Sequence, residues 1–206
     1  ITLGVSISGT STQTSLADLD FTASSFRDLN SQLAVTQSSI TKVDRADPVI
    51  INVTSSSTNS TGLATAYEAG SVIPITVEFS EDITVGGTGT PTFGMNASVT
   101  STANFLSQAA NLDSLNFDYT VAVDDESNDL DYDDGESVTL NGRTLQDWTG
   151  NDALLTLPTA GASGSLGFNK DLIIDGIAPQ ILNAYMYDHD DDGTLDEVVV
   201  EFDEGM

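Results

Sequence analysis

The sequence predicts an all-β chain assembled from sandwich-type units in tandem, and three observations lead there. Apolar and polar residues alternate in short runs, clusters of Gly, Asn, Asp, Ser and Thr separate those runs, and one stretch of the chain recurs further along it. Alternation with a period of two places one face of a strand in a core and the other in water. The intervening clusters supply the positive φ angles and short-range hydrogen bonds that chain reversals need.

Residues 1–43 are expected to hold the last strands of one unit, because "ITL" at Ile1–Leu3 can be set against "VTL" at Val138–Leu140; only "SLADLDFTASSFRDLNSQLA" within them suggests a helix. Residues 44–175 read as a complete unit with strands at Val49–Thr54, Ile73–Phe79, Thr90–Met95, Leu115–Val121, Val138–Leu140 and Leu172–Ile174. A unit of about 130 residues carrying about seven short strands is what two packed antiparallel sheets require. Residues 176–206 read as the first two strands of the following unit. The reason is a double match: "VDRADPVIINV" at Val43–Val53 aligns with "IDGIAPQILNA" at Ile174–Ala184, and "ITVEFSED" at Ile75–Asp82 with "VVVEFDEG" at Val198–Gly205. The offsets are 131 from Pro48 to Pro179 and 123 from Phe79 to Phe202, so the second copy has the shorter loop between its strands. Recurrence in the same order is the mark of an internal repeat, and the proline of each copy stands at the start of a strand, where a ladder donor can be spared.

Charge narrows the partners. The 206 residues include 32 acidic and 5 basic ones, for a formal net charge of −27. Such a surface repels nucleic acid and anionic membranes and attracts divalent cations. There is no cysteine, which excludes disulfides and thiolate chemistry and leaves oxygen ligands as the available metal donors. No stretch approaches the roughly 18 consecutive apolar residues of a membrane-spanning helix, so membrane insertion is not expected.

The blocks "DRADPVI", "YEAGSVIPITVEFSEDITVGGTGTPTF", "LNFDYTVAVDD", "TLNGRTLQDWTGNDALLTLP" and "DLIIDGIAP", in this order, resemble the tandem immunoglobulin-like or cadherin-like repeats of large bacterial surface proteins of the adhesin or surface-layer type. The resemblance covers residues 44–206. It implies an immunoglobulin-like β-sandwich, an extracellular place at the cell surface, and a structural rather than catalytic role in a rod, stalk, filament or lattice stiffened by Ca2+. Its partners would be neighbouring repeats of the same polypeptide, with self-association of copies in the lattice or filament case.

The carboxylates at the two ends of the unit, where successive units meet, are the first candidates for that ion. If the strands run as a meander, Glu81 lies at one end of the unit with the linker residues Asp44 and Asp47, joined by Asp147 and Asn151 of "DWTGN"; Asp124 and Asp175 lie at the other end, where the following unit brings Asp203 and Glu204. Two carboxylates ~4 Å apart repel by ~1 kcal/mol in water and ~4 kcal/mol near a protein surface, and a hard cation reverses that sign. Calcium takes six to eight oxygens in flexible geometry, a set that aspartate, glutamate, asparagine and carbonyl groups can supply. Glu68 is expected to be an ordinary surface residue.

The second candidate is "DHDDDGTLD". Counting from Asp188, carboxylates fall at positions one, three, five and nine as Asp188, Asp190, Asp192 and Asp196, with Gly193 at six and Thr194 at seven. These are the first nine positions of a calcium loop. Position twelve is Val199 rather than a bidentate glutamate, and the chain continues as a strand, so the stretch is more similar to the DxDxDGxxD turns of integrin- and thrombospondin-type sites than to a helix-loop-helix sensor. His189 is expected to face solvent as a bystander.

Catalysis finds little to work with. The carboxylates of Asp129–Asp134 lack an apolar wall to raise one pKa for glycosidase chemistry, and the single histidine sits within an acidic turn rather than beside a nucleophile. A carbohydrate-binding module is the alternative reading; it would need two or three aromatic rings on one sheet face. Trp148, the only tryptophan, is expected to close one end of the sandwich.

Overall fold

The computed structural model describes residues 46–133 and 138–205, together with the backbone of two short segments, Leu19–Phe21 (β1) and Gln37–Ile40 (β2), which pair antiparallel. Asp44, the remainder of residues 1–43 and the helical alternative within them lie outside the described residues.

An antiparallel sheet of five strands forms the larger layer. It contains β3 (Ile50–Ser55), β5 (Val72–Phe79), β7 (Thr92–Gly94), β8 (Thr102–Gln108) and β9 (Ser114–Thr120), in the order β3-β5-β9-β8-β7. Facing it are short pieces: β4 (Tyr67–Glu68), β10 (Glu126–Ser127) and β12 (Ile174–Asp175) form one three-stranded sheet, and β6 (Thr84–Gly87) pairs with β11 (Arg143–Gln146). A single helical turn, α1 (Leu166–Asn169), is capped by Ser165 Oγ, which accepts from the Phe168 N–H. The fold is all-β and sandwich-like, as the alternation requires.

The inward residues of β5 and β9 make the centre of the core: Ile73, Ile75, Val77, Leu115 and Phe117 are completely buried, against Leu130, Leu166 and Leu172 from the second layer. Phe117 makes edge-to-face contacts with Phe93 and Phe105, with ring centroids 5.0 and 5.9 Å away, the arrangement that the ring quadrupoles favour.

Several elements depart from expectation. Val138–Leu140 forms only an isolated bridge, Thr92↔Thr139, and Leu172–Ile174 contributes a strand at Ile174–Asp175. β8 had no sequence signal, and the structure gives the reason: its pairing with β9 shifts register between Phe105 and Ser107, which breaks the alternation and leaves Leu106 exposed.

Beyond β12 the chain forms a separate hairpin, β13 (Ile181–Tyr187) and β14 (Glu197–Phe202). It agrees with hairpin β3–β5 pair for pair. Ile181↔Phe202, Asn183↔Glu201, Ala184↔Val200, Tyr185↔Val199 and Met186↔Val198 correspond to Ile50↔Phe79, Asn52↔Glu78, Val53↔Val77, Thr54↔Thr76 and Ser55↔Ile75. The register irregularity falls at the same place in both. Asn183 Nδ2 donates to Glu201 Oε2 at 2.8 Å, as Asn52 Nδ2 donates to Glu78 Oε2 at 3.0 Å. Asp203 N donates to Gln180 O as Ser80 N donates to Val49 O. Their surroundings differ: β3–β5 is half buried, whereas all of β13–β14 is exposed except Phe202, which is half-buried.

Candidate metal centres

The acidic turn joins β13 to β14, and its own backbone shapes it. Gly193, at φ +85°, and Asp191, at φ +57°, take the left-handed conformation that reverses the chain in few residues. Amides then turn inward onto the carboxylates: Gly193 N donates to Asp188 Oδ2 (2.9 Å), Asp192 N to Asp190 Oδ1 (3.2 Å), Thr194 N to Asp192 Oδ1 (2.7 Å) and His189 N to Asp196 Oδ2 (2.7 Å). As a result Asp188, Asp190 and Asp196 each bring one oxygen to within 4.8 Å of the others and could together hold a metal ion. Asp192 and Thr194 shape the turn, and the Asp192 carboxylate stands outside that group of three. The Oδ1 atom of Asp188 is buried and has no hydrogen-bond partner. His189 is exposed, but it is engaged: Nε2 lies 2.9 Å from Glu197 Oε2, and its ring stacks on Tyr187 at 5.6 Å.

A second acidic group lies where β12 passes into the hairpin. Parallel pairing of β4 with β12 sets Glu68 beside Asp175, and antiparallel pairing of β10 with β12 sets Glu126 on the other side of it. Backbone bonds from Asp124 N to Gly176 O (3.1 Å) and Gly176 N to Asp125 O (2.7 Å) fasten the acidic loop to the linker. Gly176 must be glycine for space, since a Cβ there would meet Ala122 O at 2.3 Å. The result is a cleft of about 380 Å³ lined by Leu63, Glu68, Asp175, Ile177, Pro179 and Glu204. Desolvation, together with the carboxylates of Asp175 and Asp203, raises the pKa of Glu204, and Glu204 Oε1 is buried without a partner. Asp203 differs, because its Oδ1 accepts from Gln180 N at 2.7 Å. Asp124 is exposed, with φ +68°, and does not line the cleft.

At the opposite end three chain segments meet, although the sheet order β3-β5-β9-β8-β7 departs from the simple meander expected. Asn151 Nδ2 reaches Ala46 O (3.2 Å), Leu154 N donates to Pro48 O and Ser80 N to Val49 O. Asp47 is exposed there and Glu81 is buried. Asp147 plays a different part from the one expected. Its Oδ1 accepts from the amides of Thr149, Gly150 and Asn151, and its Oδ2 from Asn151 Nδ2, so its oxygens are occupied in holding the loop. Burial would raise its pKa, but the donors from Asn151 and Thr149 outweigh burial and hold it below the usual carboxylate value. Trp148 does not close the sandwich; it is 66% exposed on the outside of this braced loop.

Glu126 is a residue that sequence reading passed over, and Glu68 is exposed, as expected, although it is paired beside Asp175. Each is brought to Asp175 by strand pairing across a long stretch of chain, and no local spacing announces such a contact. No family model matches the chain, and no characterised protein or solved structure was found to be significantly similar to it.

Proposed function

We propose that this chain is a non-catalytic structural module of an extracellular, cell-surface protein, built of tandem immunoglobulin-like units and stiffened by Ca2+. The ion would sit at the junction cleft and in the acidic turn. One observation carries this reading: among the described residues, the buried side-chain oxygens without a partner are Asp188 Oδ1 and Glu204 Oε1, one in each acidic group. A buried acceptor left unpaired is costly unless water or an ion completes it, and both sit among carboxylates whose mutual repulsion a cation would cancel. Hard oxygen donors at these sites fit calcium. The net charge of −27 disfavours nucleic acid and anionic membranes as partners, and no helix among the described residues is long and apolar enough to cross a membrane. Neighbouring units of the same polypeptide, and copies of it, remain the partners best suited to this surface.

The carbohydrate-binding alternative has less support. Tyr185 and Tyr187 of β13 are tilted to one another at 6.5 Å, the ring stacked on Tyr187 at 5.6 Å is His189 of the acidic turn rather than a third aromatic side chain of the sheet, and Trp148 stands apart on a loop.

Calcium that binds only the folded state raises stability by ~2.7 kcal/mol at a hundredfold excess over its dissociation constant. Melting temperature should therefore rise in millimolar calcium and fall with chelator. Calorimetric titration of Asp188→Asn and Glu204→Gln should each show fewer ions than the parent. Superimposable melting curves with calcium and with chelator would refute the reading.

A further inference from the structure

Hairpins β3–β5 and β13–β14 share pairing, irregularity and the Asn–Glu hydrogen bond, yet only the first is covered. What covers it is visible. The far edge of β5 pairs with β9, with Ile75 opposite Phe117, Val77 opposite Leu115, Pro74 opposite Asp118 and Glu78 opposite Ser114. Phe79 N donates to Asp113 O on that side, while Ser80 N donates to Val49 O on the other. By the period of two, the amides of Val77, Ile75 and Ile73 point to β9 as well. The corresponding amides of β14 are those of Phe202, Val200 and Val198, and they face an edge that no described strand occupies. On one face of that edge Val198 and Val200 are 59% and 40% exposed; the other face carries the exposed Glu197 and Glu201.

We propose that the open edge of β14 is a strand-acceptor site. Its occupant is an antiparallel strand from another unit of the array, with large apolar side chains opposite Val198 and Val200, a lysine or arginine opposite Glu197, and a hydroxyl or basic residue opposite Glu201. The apolar half of that description comes from Phe117 and Leu115 in β9. The charged half comes from a position on the open-edge strand where the two hairpins differ in charge: β5 has Pro74 where β14 has Glu197. A copy of β9 docked in the same register would set Asp118 against Glu197, and like charges directly opposite each other are destabilising. Strand β9 from a second copy of this chain is thus disfavoured, and a basic strand is selected. The inference rests on the tandem-array reading, but it does not depend on bound calcium.

The probes are two peptides added to the whole chain: the sequence of Asp113–Val121, and the same peptide carrying Asp118→Lys. The lysine peptide should bind several-fold more tightly than its parent and slow amide exchange at Val198, Val200 and Phe202. In the Glu197→Lys chain the preference should reverse, with the aspartate peptide binding better; Glu197 is on the surface, so the fold survives the change. Equal binding of a scrambled peptide, protection elsewhere than on β14, an unreversed preference, or protection of these amides by self-association of the chain alone would each overturn the proposal. All measurements are repeated in calcium and in chelator: loss of the calcium effect on melting with peptide binding intact refutes the calcium reading alone, and the converse refutes the acceptor site alone.

Discussion

Asp147 shows how far a single carboxylate can depart from the use its sequence suggests. In "DWTGN" it looked like a ligand, with Asn151 as its companion. In the fold it is 3% exposed and spends both oxygens on the donors of Thr149, Gly150 and Asn151. Its worth is therefore to stability. Asp147→Asn keeps the shape but replaces one acceptor by donors that face other donors, and should cost ~1–3 kcal/mol at neutral pH. The sign of the pH dependence follows from the depressed pKa. The ionised group contributes stability that is fully present above the unfolded carboxylate value of about 3.9 and is lost as pH falls through the lower folded value. The gap between parent and variant, measured by denaturant unfolding at a series of pH values, should be constant from pH 7 down to the unfolded value and close below it. A gap that persists at the acid end would mean that geometry rather than charge sets the cost.

At the scale of elements, the junction is held by one glycine and two backbone hydrogen bonds. Gly176 passes under the Asp124–Asp125 loop, and Asp125 is itself locked: its Oδ2 accepts from Tyr119 Oη (2.6 Å) and Ala122 N (2.9 Å). Desolvation would raise the pKa of Asp125, but hydrogen bonds from Ser98, Tyr119 and Ala122 outweigh it and lower it, while burial and the facing carboxylate push the Tyr119 hydroxyl well above its ordinary value. A methyl group at position 176 must displace this loop. Gly176→Ala should cost ~1–3 kcal/mol as an overpacking change and should also reduce the calcium-induced rise in melting temperature, because position 176 lies between Asp175 and Ile177, both of which line the cleft with Glu204. A variant that melts earlier but keeps the full calcium increment would separate the junction's packing from its ion binding. The acidic turn makes the opposite case. There the element is local, its spacing could be read directly, and the structure gathers Asp188, Asp190 and Asp196, three of the four carboxylates that the spacing named.

For the molecule as a whole, stability is concentrated in β5, β9 and the layer opposite them, and the hairpin β13–β14 stands apart from that core. Phe117→Ala removes a fully buried ring with two aromatic neighbours and should cost ~3–5 kcal/mol. Amide exchange should accelerate throughout the five-stranded sheet, while that of β13–β14, where few apolar contacts are buried and local opening governs exchange, stays as it was. Coupled acceleration in both regions would show that they open as one unit. What the sequence determined by itself was whatever is encoded at short range: strand alternation gave the all-β class, glycines and aspartates at fixed spacing gave the acidic turn, and the recurrence of "DxxxPxIxN" and "VEF" placed two strands after residue 176, where β13 and β14 lie. What only the tertiary structure decided was everything that depends on which distant segments become neighbours. It set Glu68 and Glu126 beside Asp175, turned Asp147 inward and Trp148 outward, and made strands of β8 and β11. Periodicity records which face of a strand avoids water, and it carries no record of the partner strand, because pairing partners are chosen by the fit of whole faces and by the closing of loops between residues far apart in the chain.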